Sequence, residues 1–121
     1  MSDRVSVRPP NSLVLIRDAD LFEVPSWSGS RAVEVTETCL AVGTLAEPDG
    51  ATTVWFGEDE SLPVEVFDGE LRVPSGRLVV ATITHEILLT MTVRHQRVGL
   101  RVLANDASEP DEIEVVVSPP S

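Results

Sequence analysis

Three side chains in this sequence are of the types that catalysis uses: the thiol of Cys39 and the imidazoles of His85 and His95. The histidines lie ten residues apart, at opposite ends of one predicted strand. A strand rises about 3.3 Å per residue, which sets them roughly 30 Å apart, too far to share a metal. His85 precedes Glu86, an acid–base pairing by type, but successive residues of a strand point to opposite faces. Strand-end structural roles therefore fit both histidines. Cys39 precedes the apolar run Leu40-Ala-Val42, no catalytic-cysteine signature surrounds it, and a small buried core side chain is the reading that fits. There is no zinc-ligand spacing and no phosphate-binding glycine loop, because each glycine sits at a predicted turn. No catalytic residue, cofactor site or metal site is called.

Carboxylates are the more informative group. Asp18, Asp20 and Glu23 are spaced like a fragment of a calcium loop, but the central glycine and the twelfth-position glutamate of that motif are missing. A solvated acidic loop is the expectation. Two further clusters, Glu58-Asp59-Glu60 and the stretch holding Glu109, Asp111 and Glu112, join it, supplemented by Glu34, Glu37 and Glu47. Such clusters keep a protein soluble and shield strand edges. They also form a negative face that would meet a basic protein, where charge complementarity speeds association. The candidate partner-binding residues are thus Asp18, Asp20, Glu23, Glu58, Asp59, Glu60, Glu109, Asp111 and Glu112. Trp27 joins them as an aromatic in a loop, either an interaction anchor or a lid over one end of the fold. Trp55 reads as core.

The charge balance excludes some partners. Twenty Asp and Glu stand against nine Arg and no Lys, a net charge of −11 in 121 residues. Non-specific binding to nucleic acid or to anionic lipid needs the opposite sign. The N-terminal ten residues lack the apolar core of a secretory signal, and no apolar run approaches membrane-spanning length. One cysteine forms no internal disulfide, which suits a reducing cytoplasm. An apolar fraction of 42% and a mean hydropathy of +0.09 are globular values.

Strands must position these residues. Nineteen Val, nine Thr and four Ile favour a pleated surface, and no long helical stripe free of Pro or Gly occurs. Period-2 alternation marks strands at 64–66 and 71–73 around an Asp68-Gly69 turn, then at 87–93, 98–102 and 113–117, with Glu112 and Glu114 pointing outward. Earlier strands are expected at 5–7, 13–17, 32–36, 40–44 and 52–56. The apolar segment 77–84 reads as a strand buried on both faces. Turn signals between them recur roughly every ten residues, the mark of an antiparallel sandwich or barrel. The expectation is one all-β domain over 1–121, an antiparallel β-sandwich of eight to ten short strands. Its ends, 1–4 and 118–121, are expected to fray, and 18–30 to form a long surface loop.

The segment Gly69-Glu-Leu-Arg-Val-Pro-Ser-Gly-Arg-Leu-Val-Val-Ala81 resembles a signature of small, mostly uncharacterised bacterial β-sandwich proteins. Leu40-Ala-Val-Gly-Thr44 is similar to the short strand that precedes it there. That group is in turn distantly similar to the competence-associated nuclease inhibitor family, acidic proteins that bind and silence a nuclease. The resemblance implies a non-catalytic acidic β-sandwich acting by protein–protein contact, and it assigns no functional residue, since Pro74-Ser75-Gly76 only makes a turn.

The function expected is therefore a binding or inhibitor-like module with a basic protein partner and no cofactor. The alternative is a small-molecule-binding or enzymatic barrel with a site at one end of the sandwich. A homodimer built by edge pairing along the Thr-rich 82–92 segment is a third possibility.

Overall fold

Alternation of apolar and polar side chains gives a strand one face that avoids water, and two sheets that bury such faces together make a sandwich. The computed structural model, which describes residues 4–29, 31–58 and 61–118, has this architecture. Its strands are β1 (Arg4–Val7), β2 (Leu13–Asp18), β3 (Val33–Val35), β4 (Cys39–Gly43), β5 (Thr52–Phe56), β6 (Val64–Arg72), β7 (Arg77–Thr82), β8 (Ile87–Thr92), β9 (Arg97–Ala104) and β10 (Glu112–Ser118). One sheet has the order β1-β5-β10-β9-β6 and the other β3-β4-β2-β7-β8. Neighbours are antiparallel except β5 and β10, which run parallel with Val54 beside Ile113.

The core lies between the sheets. Val54, Leu100, Val102, Ile113 and Val115 of the first meet Val14, Ile16, Leu40, Leu78 and Val80 of the second. The second sheet is also covered outside. Leu15, Cys39 and Ala41, which alternate with the core residues, pack against Phe22 and Trp27 of the 19–32 loop. This is why β2 and β7 read as continuously apolar, and Leu78 through Thr82 are all buried.

Three local expectations are corrected. Asp68-Gly69 is not a turn: β6 runs unbroken through it, bulged between Glu65 and Phe67. Gly69 makes room for a ring, since a Cβ there would lie 2.8 Å from Cζ of Phe67. A turn dipeptide and a glycine required by close packing look the same in one dimension. Arg4 and Ser118, assigned to the fraying ends, pair with Trp55 and Gly99; residues 1–3 and 119–121 lie outside those described. Glu114 does not point to solvent but is buried.

Candidate functional site

The catalytic residue types are dispersed. Cys39 lies opposite Arg17 across the β2–β4 pair, both under the 19–32 loop. Burial pushes the thiol pKa up to about 12, against the opposing pull of the Arg17 guanidinium. A thiol in that state is a core side chain and not a nucleophile. The guanidinium donates to the carbonyls of Asp18 and Ala19 and lies 3.8 Å from the ring centroid of Phe22. His85 occupies the left-handed region (φ 73°) in the turn after β7, its ring 5.6 Å from that of Phe22. His95 is exposed in the turn after β8, so that strand separates the two imidazoles. Among the described residues no group of three or more His, Cys, Asp and Glu is placed to hold a metal ion.

Asp18 is removed from the candidate acidic surface. It is 0% exposed, and its carboxylate accepts four hydrogen bonds. Oδ2 takes the backbone N–H groups of Asp20 and Leu21; Oδ1 takes the N–H and hydroxyl of Ser75. Burial alone would raise its pKa, but the donors at Leu21, Ser75 and Asp20 outweigh it and hold the carboxyl below its ordinary value. Its near neighbours serve elsewhere. Asp20 pairs with Arg77 at 2.9 Å. The backbone of Glu23 exchanges hydrogen bonds with the hydroxyls of Thr36 and Thr38, which ties the loop to the β3–β4 turn. Trp27 is half-buried against the outer face of the second sheet, where a Cβ on Gly43 would lie 3.2 Å from its ring. Its ring thus covers a sheet face and not the sandwich end.

A second buried carboxylate holds the first sheet's cover. In the sheet β10 and β9 lie between β5 and β6, and residues 61 and 62 of the connection meet Glu114 of β10. There Oε1 of Glu114 accepts from the backbone N–H groups of Ser61 (2.8 Å) and Leu62 (3.4 Å) and from the Ser61 hydroxyl (3.2 Å). Glu58 is exposed on this crossover; Asp59 and Glu60 lie outside the described residues.

One group of acidic side chains gathers at one end. The 44–51 and 105–111 loops are joined by a hydrogen bond from Leu45 N–H to the Pro110 carbonyl. Glu47 and Asp49 of the first loop therefore lie at the same end as Asp106, Glu109, Asp111 and Glu112, and neither loop contains a basic residue. Asp106 braces its loop by accepting from the N–H groups of Glu109 and Ser108 and from the Ser108 hydroxyl, and these donors lower its pKa. Asn105 accepts from the N–H groups of Asp111 and Glu112 and closes the loop's base. The opposite end is different. Turns after β6 and β8 place Arg72, Arg77, Arg94 and Arg97 there, four of the nine arginines. Glu37 pairs with Arg72 and Asp20 with Arg77; among the described residues Arg94 and Arg97 have no carboxylate partner.

The structure thus unites Glu109, Asp111 and Glu112 with Glu47 and Asp49, and separates them from Asp20, Glu23 and Glu58. Asp49 was legible only as part of the turn Glu47-Pro-Asp-Gly50, with no local sign of what it faces.

A two-sheet β-sandwich, with ten strands among the described residues and an acidic pair of loops at one end, is the class of protein this fold defines. No family model matches the chain, and no curated protein sequence matches it. Among proteins of known structure it is similar to ComJ from Bacillus subtilis, an inhibitor of the DNA degrading activity of NucA. The two superpose with a TM-score of 0.70 over 97% of this chain and 96% of ComJ, at 10% sequence identity. That likeness shows the fold, which this chain shares with a nuclease inhibitor. Among the described residues no helix is long and apolar enough to cross a membrane.

Proposed function

We propose that this chain is a non-catalytic, inhibitor-like protein-binding module whose acidic end meets a basic protein partner. The observation that carries the reading is the hydrogen-bonded union of two loops that hold five carboxylates and no basic side chain, with Glu112 at the start of β10 beside them. Exposed acid elsewhere, as at Glu58, Glu65 and Asp68, serves solubility; a group of carboxylates on two braced loops free of basic residues favours a complementary surface. The shared fold with a nuclease inhibitor supports a role in protein contact, and a buried, unpaired thiol supports a reducing, cytoplasmic setting. Glu109, Asp111 and Glu112 form the centre of the proposed surface, with Glu47 and Asp49 beside them.

The test is capture of a partner from extracts of the native host, using the whole chain and the variant Glu47→Lys/Asp49→Lys/Glu109→Lys. A basic protein retained at low salt, released at high salt and lost with the variant is the expected result. Exposed charges are screened beyond about 8 Å at physiological ionic strength, so capture that ignores salt, or no capture, overturns the reading. A homodimer through β8 is a second reading, favoured by an edge strand with no charged side chain and an Ile87 that is 52% exposed. Sedimentation at several concentrations decides it.

A further inference from the structure

The end opposite the acidic loops contains a cleft of about 420 Å³, between the close of β8 and the ends of β9 and β10. Its floor is apolar: Met91, Val93, Val98 and Val117. Its rim carries Arg94 and His95, and among the described residues no carboxylate lines it, in a chain with twenty Asp and Glu. Arg94 is exposed and has no ion-pair partner among the described residues. A cationic rim above an apolar floor in a strongly acidic protein is selective by sign. Most anions are repelled by the molecule as a whole, and only one that also gains from apolar burial is held.

We propose that this cleft binds a medium-chain aliphatic carboxylate, its carboxylate on Arg94 and His95 and its chain along Met91, Val93, Val98 and Val117. The volume lies within the range of about 300–1,000 Å³ typical of small-molecule sites. Methionine, unbranched and polarisable, adapts to a flexible chain better than a rigid aromatic wall would. Arginine supplies a planar fork that matches a carboxylate. Both rim residues come from the turn between β8 and β9, while the floor draws on both sheets, so the site exists only in the folded sandwich. Nothing in this proposal depends on the acidic end, and the two readings fail separately.

Titration of the intact protein with octanoate, followed by methyl and arginine side-chain NMR, tests it. The expected result is saturable shifts confined to Met91, Val93, Val98, Val117 and Arg94. n-Octanol, which has the chain without the charge, and acetate, which has the charge without the chain, should each bind about tenfold more weakly or worse. The double variant Arg94→Ser/His95→Ser changes two exposed side chains, so its remaining methyl spectrum reports an intact fold. It should lose octanoate affinity by about tenfold and keep that for octanol. Shifts scattered over the other arginines, octanol binding as tightly as octanoate, or full octanoate affinity in the double variant would each overturn the proposal.

Discussion

Asp18 and Ser75, 57 residues apart in the chain, are joined by two hydrogen bonds to one carboxylate oxygen, 2.9 Å from the Ser75 N–H and 2.7 Å from its hydroxyl. This contact pins the Val73-Pro-Ser-Gly76 turn to the end of β2. Gly76 completes the turn at φ 77°, a conformation that side chains with a Cβ rarely adopt.

The bond makes stability depend on pH. The Asp18 pKa is lower in the folded protein, so the unfolded chain binds more protons in the acid range and stability rises with pH there. The contribution is complete above the unfolded value of about 4 and is lost as pH falls through the lower folded value. Asp106 acts with the same sign. Asp18→Asn places an amide against N–H donors; it should cost about 1–3 kcal/mol near neutrality and flatten the acid limb. Urea midpoints measured from about pH 3 to 7 check both; an unchanged acid limb would remove Asp18 as its source.

Glu114 and Gly57 should behave as a coupled pair. A Cβ on Gly57 would run into the Glu114 carboxylate, so Gly57→Ala is expected to destabilise the fold. Glu114→Ala strips the acceptor from Ser61 and Leu62, at a cost of about 1–3 kcal/mol, and speeds hydrogen exchange at those two amides. In the Glu114→Ala background the alanine at 57 finds space, and the double variant should be more stable than the sum of single losses predicts. Additive losses in a double-mutant cycle would show that the two do not touch in solution.

Native Cys39 should resist thiol reagents near pH 8, since with a pKa of about 12 almost none of it is thiolate there. Denaturant should release full reactivity. Because this pKa is raised, the group favours the fold below its unfolded value of about 8.5, and the advantage is lost as pH climbs towards the folded value. Rapid labelling of the folded chain would contradict the burial.

Trp27→Ala separates two roles for one ring. As a cover over Gly43 and the Cys39 cluster, its loss should lower stability by about 1–3 kcal/mol and speed Cys39 labelling. An interaction anchor would instead leave melting and labelling unchanged while partner capture falls.

Much of the architecture was legible. The alternation at Ile87, Leu89 and Met91, or at Val98, Leu100 and Val102, is a local property, and it marks strands wherever they finally pair. Cys39 was legible as core because its neighbours Leu40, Ala41 and Val42 are apolar. The failures share one cause. Gly69 was read as turn because its need for space comes from the Phe67 ring, and Glu114 as solvent-facing because the donors that allow its burial sit 53 and 52 residues away. No pattern of neighbours encodes such a donor.

Alone, then, the chain's composition and periodicity determined an all-β class, most strand positions within a few residues and a net charge of −11. These follow from side-chain branching, period and net charge, which need no knowledge of which strand lies beside which. Tertiary structure decided the rest. It set β5 beside β10, joined the 44–51 loop to the 105–111 loop through Leu45 and Pro110, buried Asp18 and Glu114, and left Arg94 at the far end. The acidic total is one number in the sequence; which carboxylates become internal braces, as Asp18 and Glu114 do, depends on which backbone N–H groups the fold brings to each.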